Sequence, residues 1–374
     1  MSSTGIVDET ARKPRSGLVR RIVTAQESGL VLVIILMMAG LTLLGGTKQV
    51  PVIDRETGLV QRDDSGRPVR VEVNKFLEPN NLMQLANNAS YIAIMAVGMT
   101  AIIILAGIDL SVGSIYALAA ILAAMVLSGL PPDMGGWLVV PIGIALCCAI
   151  GAAAGFANGI MIVGFRVHPF IITLGTMAIY RGIVFVLTQG QSESGFPDAF
   201  QEFFKVNIPV GTGNIYPVPT LIMLLVAVLG VVALSRFVTG RRVYAVGGNE
   251  TAAKYAGIPV GRVKVIVFTV GGLLAGLSAA IYIGYYGAAE PNAGMAYELR
   301  VIAAAVIGGA SLAGGRGSAL GAVLGAIIIE LINNAMIILD IDQSYNQIVM
   351  GGAIVVAVVV DQLKTKVVAR KSGA

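Results

Sequence analysis

The stretch GRRVYAVGGNETAAKYAGIPVGRVK, residues 240–264, is a polar, basic island between two long apolar runs. Its centre, residues 250–256, consists of good helix formers, with Gly247 and Gly248 before it and Gly257 after it. This pattern predicts a short helix with fixed ends. Asn249 is a favourable N-cap residue for that helix. We expect the glycines to act as hinges that hold the helix clear of its apolar neighbours; an ordinary basic loop is the alternative.

The composition of the whole chain predicts a membrane protein. Hydrophobic residues make up 56% of its 374 residues and charged residues 13%, and the mean hydropathy is +0.83. Soluble domains carry about 25% charged residues. The net charge of +5 comes from basic residues in short segments that flank apolar runs, which is typical of membrane orientation and excludes nucleic-acid binding. We therefore predict an all-α membrane protein, a polytopic bundle of about ten transmembrane helices.

Ten apolar runs are long enough to cross a bilayer, which needs about 17–25 apolar residues per span. With the N-terminus in the cytoplasm, 17 basic residues fall in cytoplasmic segments and 7 on the other face. The positive-inside rule therefore predicts that both termini are cytoplasmic. The predicted spans are 29–47, 84–106, 110–129, 137–162, 169–188, 217–236, 265–284, 299–314, 317–338 and 346–362.

Two further features concern organisation rather than chemistry. Residues 48–78 form an acid-balanced insertion in which the turn residues Asp64, Ser65 and Gly66 allow a small hairpin, and a disordered loop is the open alternative. Glycines recur at helical spacing within spans, which predicts close helix packing. These strips are Gly151, Gly155 and Gly159; Gly272 and Gly276; and Gly317, Gly321 and Gly325.

Polar residues inside the spans are the candidate functional groups. Asp109 lies between the second and third spans, where it can cap a helix or contact a substrate. The other candidates can hydrogen-bond a neutral polar solute or another helix; they are Asn158, Glu330, Asn333 and Asn334.

Aromatic residues near predicted span ends indicate an aromatic belt, with sugar stacking as the alternative; they are Tyr116, Tyr180, Tyr282, Tyr285, Tyr286 and Trp137. His168 is too isolated to predict a metal site. Cys147 and Cys148, which are next to each other in the chain, predict neither a metal site nor a disulfide.

Four stretches together resemble the sugar permease subunits of ATP-binding-cassette importers, of the ribose, xylose, arabinose and galactose type. They are GMTAIIILAGIDLSVGSIYALAA, HPFIITLGTMAIYRG, YAVGGNETAAKYAGIPV and ELRVIAAAVIGGASLAGGRGSALGAVLGA, and the resemblance covers about residues 76–362. It implies a permease subunit of the bacterial inner membrane, embedded in membrane lipid and pairing with a second permease subunit. An identical copy, which gives a homodimer, is favoured, and a different subunit is the alternative. It also implies cytoplasmic ATPase subunits and a periplasmic or lipid-anchored sugar-binding protein as partners.

The resemblance also assigns a role to the island. It implies that ATPase coupling is carried by Gly247, Gly248, Asn249, Glu250, Ala252, Ala253, Tyr255, Gly257 and Ile258. The chain then divides into a cytoplasmic segment (1–28), a transmembrane permease domain (29–362) and a cytoplasmic tail (363–374). The permease domain includes the extracytoplasmic insertion (48–78) and a cytoplasmic coupling segment (237–264).

The sequence patterns favour this class over two others. The chain contains no G-x-x-x-x-G-K-[ST] phosphate-binding loop, so we expect ATP hydrolysis on separate subunits, no enzymatic activity and no cofactor. An ion-coupled secondary transporter of a small polar solute is the alternative, but it normally needs several paired carboxylates and basic groups within the membrane. An intramembrane enzyme would need a catalytic motif, and the sequence has none.

Overall fold

The computed structural model describes residues 26–52, 60–210, 213–353, 355–356 and 359. The predicted cytoplasmic tail and nearly all of segment 1–28 lie outside these residues. The named helices are α1 (Gln26–Leu44), α2 (Pro79–Ile104), α3 (Val112–Ser128), α4 (Gly136–Phe165), α5 (Pro169–Thr188), α6 (Asp198–Phe204), α7 (Val218–Arg236), α8 (Val238–Gly248), α9 (Glu250–Tyr255), α10 (Val260–Tyr286), α11 (Tyr297–Ile307) and α12 (Ala319–Ile338). A 3-10 turn, Gln343–Tyr345, leads into a further helical stretch that begins at residue 346.

Six short strands connect these helices. They form three antiparallel pairs: β1 (Thr47–Pro51) with β2 (Arg70–Asn74), β3 (Glu193–Ser194) with β6 (Ala288–Ala289), and β4 (Ile208–Val210) with β5 (Gly213–Ile215). The protein is therefore predominantly helical, as predicted.

Seven of the described helices are long and apolar enough to cross a membrane. They are α1, α2, α4, α5, α7, α10 and α12. Helix α3 is apolar but has only 17 residues, and the predicted last span, 346–362, lies partly outside the described residues. The polytopic helical fold is confirmed, whereas the count of ten spans stays a prediction.

The predicted span 299–314 is not one continuous helix. Helix α11 has 11 residues, and a series of turns follows it up to α12. Gly309, Gly314 and Gly315 adopt positive φ angles of 94°, 86° and 72°, which an α-helix cannot accommodate. We call residues 308–318 the glycine loop.

Helix α2 is the most deeply buried of the candidate spans, and α1 lies at the periphery with most of its surface exposed. Helices α4 and α10 pack against each other along the predicted glycine strips. A Cβ added to Gly151 would overlap the carbonyl oxygen of Gly272, and one added to Gly276 would overlap that of Cys147. Close packing through these glycines is therefore confirmed.

The insertion forms a hairpin, which was one of the two alternatives predicted for residues 48–78. Its first strand, β1, lies earlier in the chain than expected. The side chain of Asp63 accepts from the backbone N–H groups of Ser65 and Arg67 and so forms the turn at the predicted place. Phe76 is fully buried against Leu41, Leu331 and Ile338. The end of the insertion therefore belongs to the helical bundle.

Candidate functional site

The island of residues 240–264 contains two helices rather than one. Helix α9 matches the predicted short helix, and the side chain of Asn249 accepts a hydrogen bond from the N–H of Ala252 at 2.9 Å, which confirms the N-cap. Gly257 has a φ of +78°, and the N–H of Ile258 bonds back to Ala253. This arrangement closes the helix at its C-terminal end. The preceding helix α8 was not predicted.

Helix α9 has one anchored side and one free side. Ala253 is buried, and Glu250 pairs with Lys264 of α10 at 2.9 Å. Tyr255, in contrast, is 88% exposed. The helix therefore rests on the bundle and presents an aromatic side chain outward, so the expectation that hinges hold it clear of the bundle is wrong.

Gly247 explains this docking. A Cβ at Gly247 would overlap the carbonyl oxygen of Ile104 at the end of α2, whereas a Cβ at Gly248 would meet nothing. The same Ile104 carbonyl accepts a hydrogen bond from the N–H of Gly315 at 2.9 Å. Gly247 is thus a close-contact residue, and α8, α2 and the glycine loop meet at one point.

A side-chain hydrogen bond reinforces this meeting point. The hydroxyl of Tyr244, on α8, donates to the carbonyl of Gly317 at 2.7 Å. Burial raises the pKa of Tyr244 above its ordinary value. Backbone and side-chain contacts therefore join α8 to the glycine loop.

Asp109 and Asn158 belong to one buried network. Asp109 accepts from the backbone N–H and the hydroxyl of Ser111, at 2.8 and 2.6 Å. The Ser111 hydroxyl accepts from the amide of Asn158 at 2.8 Å, and the hydroxyl of Tyr180 donates to Ala154 and contacts Asn158. These bonds fix the segment between α2 and α3, but the N-cap residue Ser111 makes no side-chain cap bond to the first turn of α3, so the role of Asp109 stays a prediction.

Glu330, Asn333 and Asn334 separate into two groups. Asn333 donates to Glu330 at 3.4 Å and accepts from Asn346 at 2.7 Å, and Asn346 accepts from Arg300 at 3.2 Å. Asn334 instead forms an amide pair with Asn81 of α2. Asn334 therefore joins two helices, whereas the other residues form a polar chain.

The polar chain borders a cluster of tyrosines. Tyr116 is fully buried, and its ring lies 5.5 Å from that of Tyr282 and 5.6 Å from that of Tyr297. Tyr286 lies 5.1 Å from Tyr282 and 6.4 Å from Tyr91. We call these five residues the tyrosine cluster. For Tyr116 the predicted aromatic belt is wrong, while Trp137 is 82% exposed as a belt residue would be.

Two hydroxyls of the cluster lack partners. Within the described residues, the buried hydroxyls of Tyr91 and Tyr116 have no hydrogen-bond partner. A buried, unsatisfied hydroxyl costs about 1–3 kcal/mol. The guanidinium of Arg300 lies 5.7 Å from the centre of the Tyr297 ring. Arg300 thus belongs to the polar chain and also contacts the tyrosine cluster.

Arg181 was missed in the sequence. It lies on α5 and donates to the carbonyls of Pro291, Ala293 and Gly113 at 2.7, 2.8 and 3.2 Å. It therefore ties the segment between α10 and α11 to α3, beside Tyr116. The signal was present, because Arg181 is a basic residue inside a predicted span, where ionisable groups are functional candidates by default. Over the part of the chain that the structure describes, no group of three His, Cys, Asp or Glu residues could hold a metal ion.

Comparison with known proteins identifies the family. The family described as branched-chain amino acid transport system / permease component matches residues 81–358. The D-allose transport system permease protein of Escherichia coli is 40% identical over 292 residues, 78% of this chain and 86% of that protein. The ribose import permease protein of Bacillus subtilis is 41% identical over 295 residues, 78% of this chain and 87% of that protein.

A more distant relative is similar over the same extent. The galactose/methyl galactoside import permease protein of Haemophilus influenzae is 33% identical over 298 residues, 77% of this chain and 88% of that protein. The family match covers more than half of the chain and includes the whole site described above. This chain belongs to the family of branched-chain amino acid transport system permease components.

Proposed function

We propose that this chain is the permease subunit of an ATP-binding-cassette importer for a monosaccharide. Separate ATPase subunits dock on α9, an extracytoplasmic binding protein delivers the sugar, and two copies of the chain form the path. The names of the relatives, which are import permeases for allose, ribose and galactosides, support the substrate class.

The contact between Gly247 and Ile104 carries this proposal. Gly247 lies on α8, directly before α9. Its contact with Ile104 connects these two short helices to the end of α2 and to the glycine loop. Ile104 begins the segment that leads to Asp109 and α3, and the glycine loop connects α11 with α12. Force applied to α9 by a docked ATPase would therefore reach the helices that bear Tyr116, Tyr297 and Glu330.

The tyrosine cluster is our candidate for the sugar path. Sugars present apolar ring faces that pack on aromatic rings and hydroxyls that need hydrogen-bond partners. The cluster offers both, with unpartnered hydroxyls on Tyr91 and Tyr116 and with the polar chain from Glu330 to Arg300 beside it. Asn158 and Asp109 are assigned to fixing the nearby backbone, and Asn334 to helix packing.

Transport in reconstituted vesicles tests this function. The chain is inserted together with an ATPase subunit and a sugar-binding protein of the same transporter class, and uptake of radiolabelled ribose, allose and galactose is measured with and without ATP. We expect uptake of at least one sugar that requires ATP and the binding protein. Uptake driven by a proton or sodium gradient without ATP would instead support the ion-coupled secondary transporter.

The orientation of the chain is part of the same proposal. We place α8 and α9, and both termini, in the cytoplasm, because the basic residues concentrate on that side. A reporter fused after Gln191 should then be extracytoplasmic, and one fused after Ala374 cytoplasmic. The opposite result at either position would contradict this orientation.

A further inference from the structure

A groove of about 1260 Å³ opens where the ends of α4 and α10 meet α9. Part of its lining is apolar and exposed: Phe156, Ile160 and Ile266 are 47%, 48% and 45% exposed. These three side chains project from helices that are candidate membrane spans. The groove therefore begins on a surface suited to lipid.

The remainder of the groove is basic. Arg166, Lys254 and Arg262 line it, and all three are exposed. Among the residues that the structure describes, none of the three makes an ion pair or a side-chain hydrogen bond. Lys264 and Glu250 also line the groove, but they neutralise each other. Three uncompensated positive charges thus stand beside an apolar wall.

We propose that one anionic phospholipid occupies this groove. Its phosphate lies against Arg166, Lys254 and Arg262, and an acyl chain lies along Phe156, Ile160 and Ile266. Basic pockets between membrane helices suit anionic headgroups, and the attraction of each cation is strongest near the membrane surface. A free phosphate would leave the apolar wall without a partner, and a neutral lipid would leave the cations without one.

The proposal goes beyond transport, because it assigns a ligand to a surface outside the tyrosine cluster. Lys254 belongs to α9, so the bound lipid would link the island directly to the membrane. The groove would then be filled from one leaflet while Tyr255 remains free for a partner.

Native mass spectrometry of the full-length chain in detergent tests the headgroup. Phosphatidylglycerol is titrated against the wild type and against the triple variant Arg166→Gln, Lys254→Gln, Arg262→Gln. The matched control, Arg236→Gln, Arg241→Gln, Arg242→Gln, removes three exposed cations outside the groove lining. We expect the groove variant to lose affinity roughly tenfold or more, with little change in the control. Equal losses in both variants would overturn the proposal in favour of a general effect of surface charge.

The acyl chain is tested separately, so that a poorly folded triple variant does not decide the outcome. Phe156→Ala with Ile266→Ala should weaken phosphatidylglycerol binding, whereas Leu225→Ala with Leu229→Ala, at comparably exposed positions on α7, should not. Glycerol 3-phosphate at millimolar concentration should not displace the lipid. Displacement by glycerol 3-phosphate, or equal retention of phosphatidylcholine, would overturn the assignment. A change in oligomeric state without a change in lipid count would make a second copy of the chain the occupant.

Discussion

Gly247 lies so close to the backbone carbonyl of Ile104 that a single added methyl group would overlap it, whereas its neighbour Gly248 faces open space. Two adjacent glycines of the same helix therefore have different roles. The first fixes how closely the island approaches α2 and the glycine loop, and the second has no such constraint.

Gly247→Ala should uncouple sugar uptake from ATP hydrolysis. Overpacking costs about 1–3 kcal/mol, and here it would push α8 away from Ile104. Uptake and stimulated ATP turnover are measured in the same vesicles, with Gly248→Ala as the matched control. If Gly247→Ala transports as well as Gly248→Ala, the contact does not transmit movement.

Ala253→Pro should abolish coupling while the membrane domain stays folded. Proline removes the bond from the N–H of Ala253 to Asn249 and costs about 3 kcal/mol in a helix of only six residues. The spans keep their own hydrogen bonds and should insert normally. Uptake, ATP turnover and the membrane-inserted amount are measured. Thr251→Ala serves as a neutral control, and undiminished uptake by Ala253→Pro would show that the ATPase docks elsewhere.

Tyr116→Phe should leave the chain at least as stable as the wild type and lower sugar uptake. Its hydroxyl is buried and without a partner in the described residues, so removing it relieves a cost of about 1–3 kcal/mol. If that hydroxyl receives the sugar, uptake falls although the thermal midpoint does not. Tyr180→Phe is the contrasting variant, because its hydroxyl already bonds to Ala154. Unchanged uptake by Tyr116→Phe would place the sugar path elsewhere.

Arg181→Gln should destabilise the protein by several kcal/mol, since it removes three hydrogen bonds to a charged group and each contributes about 1.5–3 kcal/mol. Three carbonyls would lose their donor, and the segment between α10 and α11 would come away from α3. Arg181→Lys should recover only part of the loss, because an ammonium lacks the planar fork of a guanidinium. Thermal unfolding in detergent measures both variants; equal stability of wild type and Arg181→Gln would contradict this anchoring role.

The insertion should be only partly dispensable. Phe76→Ala should cost about 3–5 kcal/mol, because it empties a fully buried site between Leu41, Leu331 and Ile338. Deletion of residues 61–68, which contain the exposed turn, should cost little. Yields of inserted protein and thermal midpoints compare the two. The reverse order of stability would show that the turn, rather than Phe76, holds the insertion in place.

Local signals explain what could be predicted from the sequence. Helix α9 depends on its N-cap, Asn249, and on Gly257, both of which act within a few residues, so the pattern predicted its bounds. The glycine strips also repeat at a fixed spacing. Helix α8 was missed because its basic residues and glycines resemble a loop until Val243 and Val246 are buried against the bundle.

Tertiary contacts explain what was missed. The backbone of the glycine loop is bonded without a helix: the N–H groups of Gly315, Gly314 and Ser311 donate to the carbonyls of Ile104, Ser311 and Arg316. Tyr297 begins α11 and packs on Tyr116 of α3, a contact between helices that no local pattern indicates. The tyrosine cluster combines residues from four helices, and no periodicity within one helix could indicate it.

The seam between α4 and α10 limits how this protein can move. Gly151 and Gly155 bring one backbone directly onto that of Gly272, with no side chains between them to change rotamer and absorb a displacement. The two backbones are therefore already at their closest approach and cannot be pressed nearer to each other. We expect α4 and α10 to keep a fixed spacing during transport, while α8, the glycine loop and α11 move relative to them.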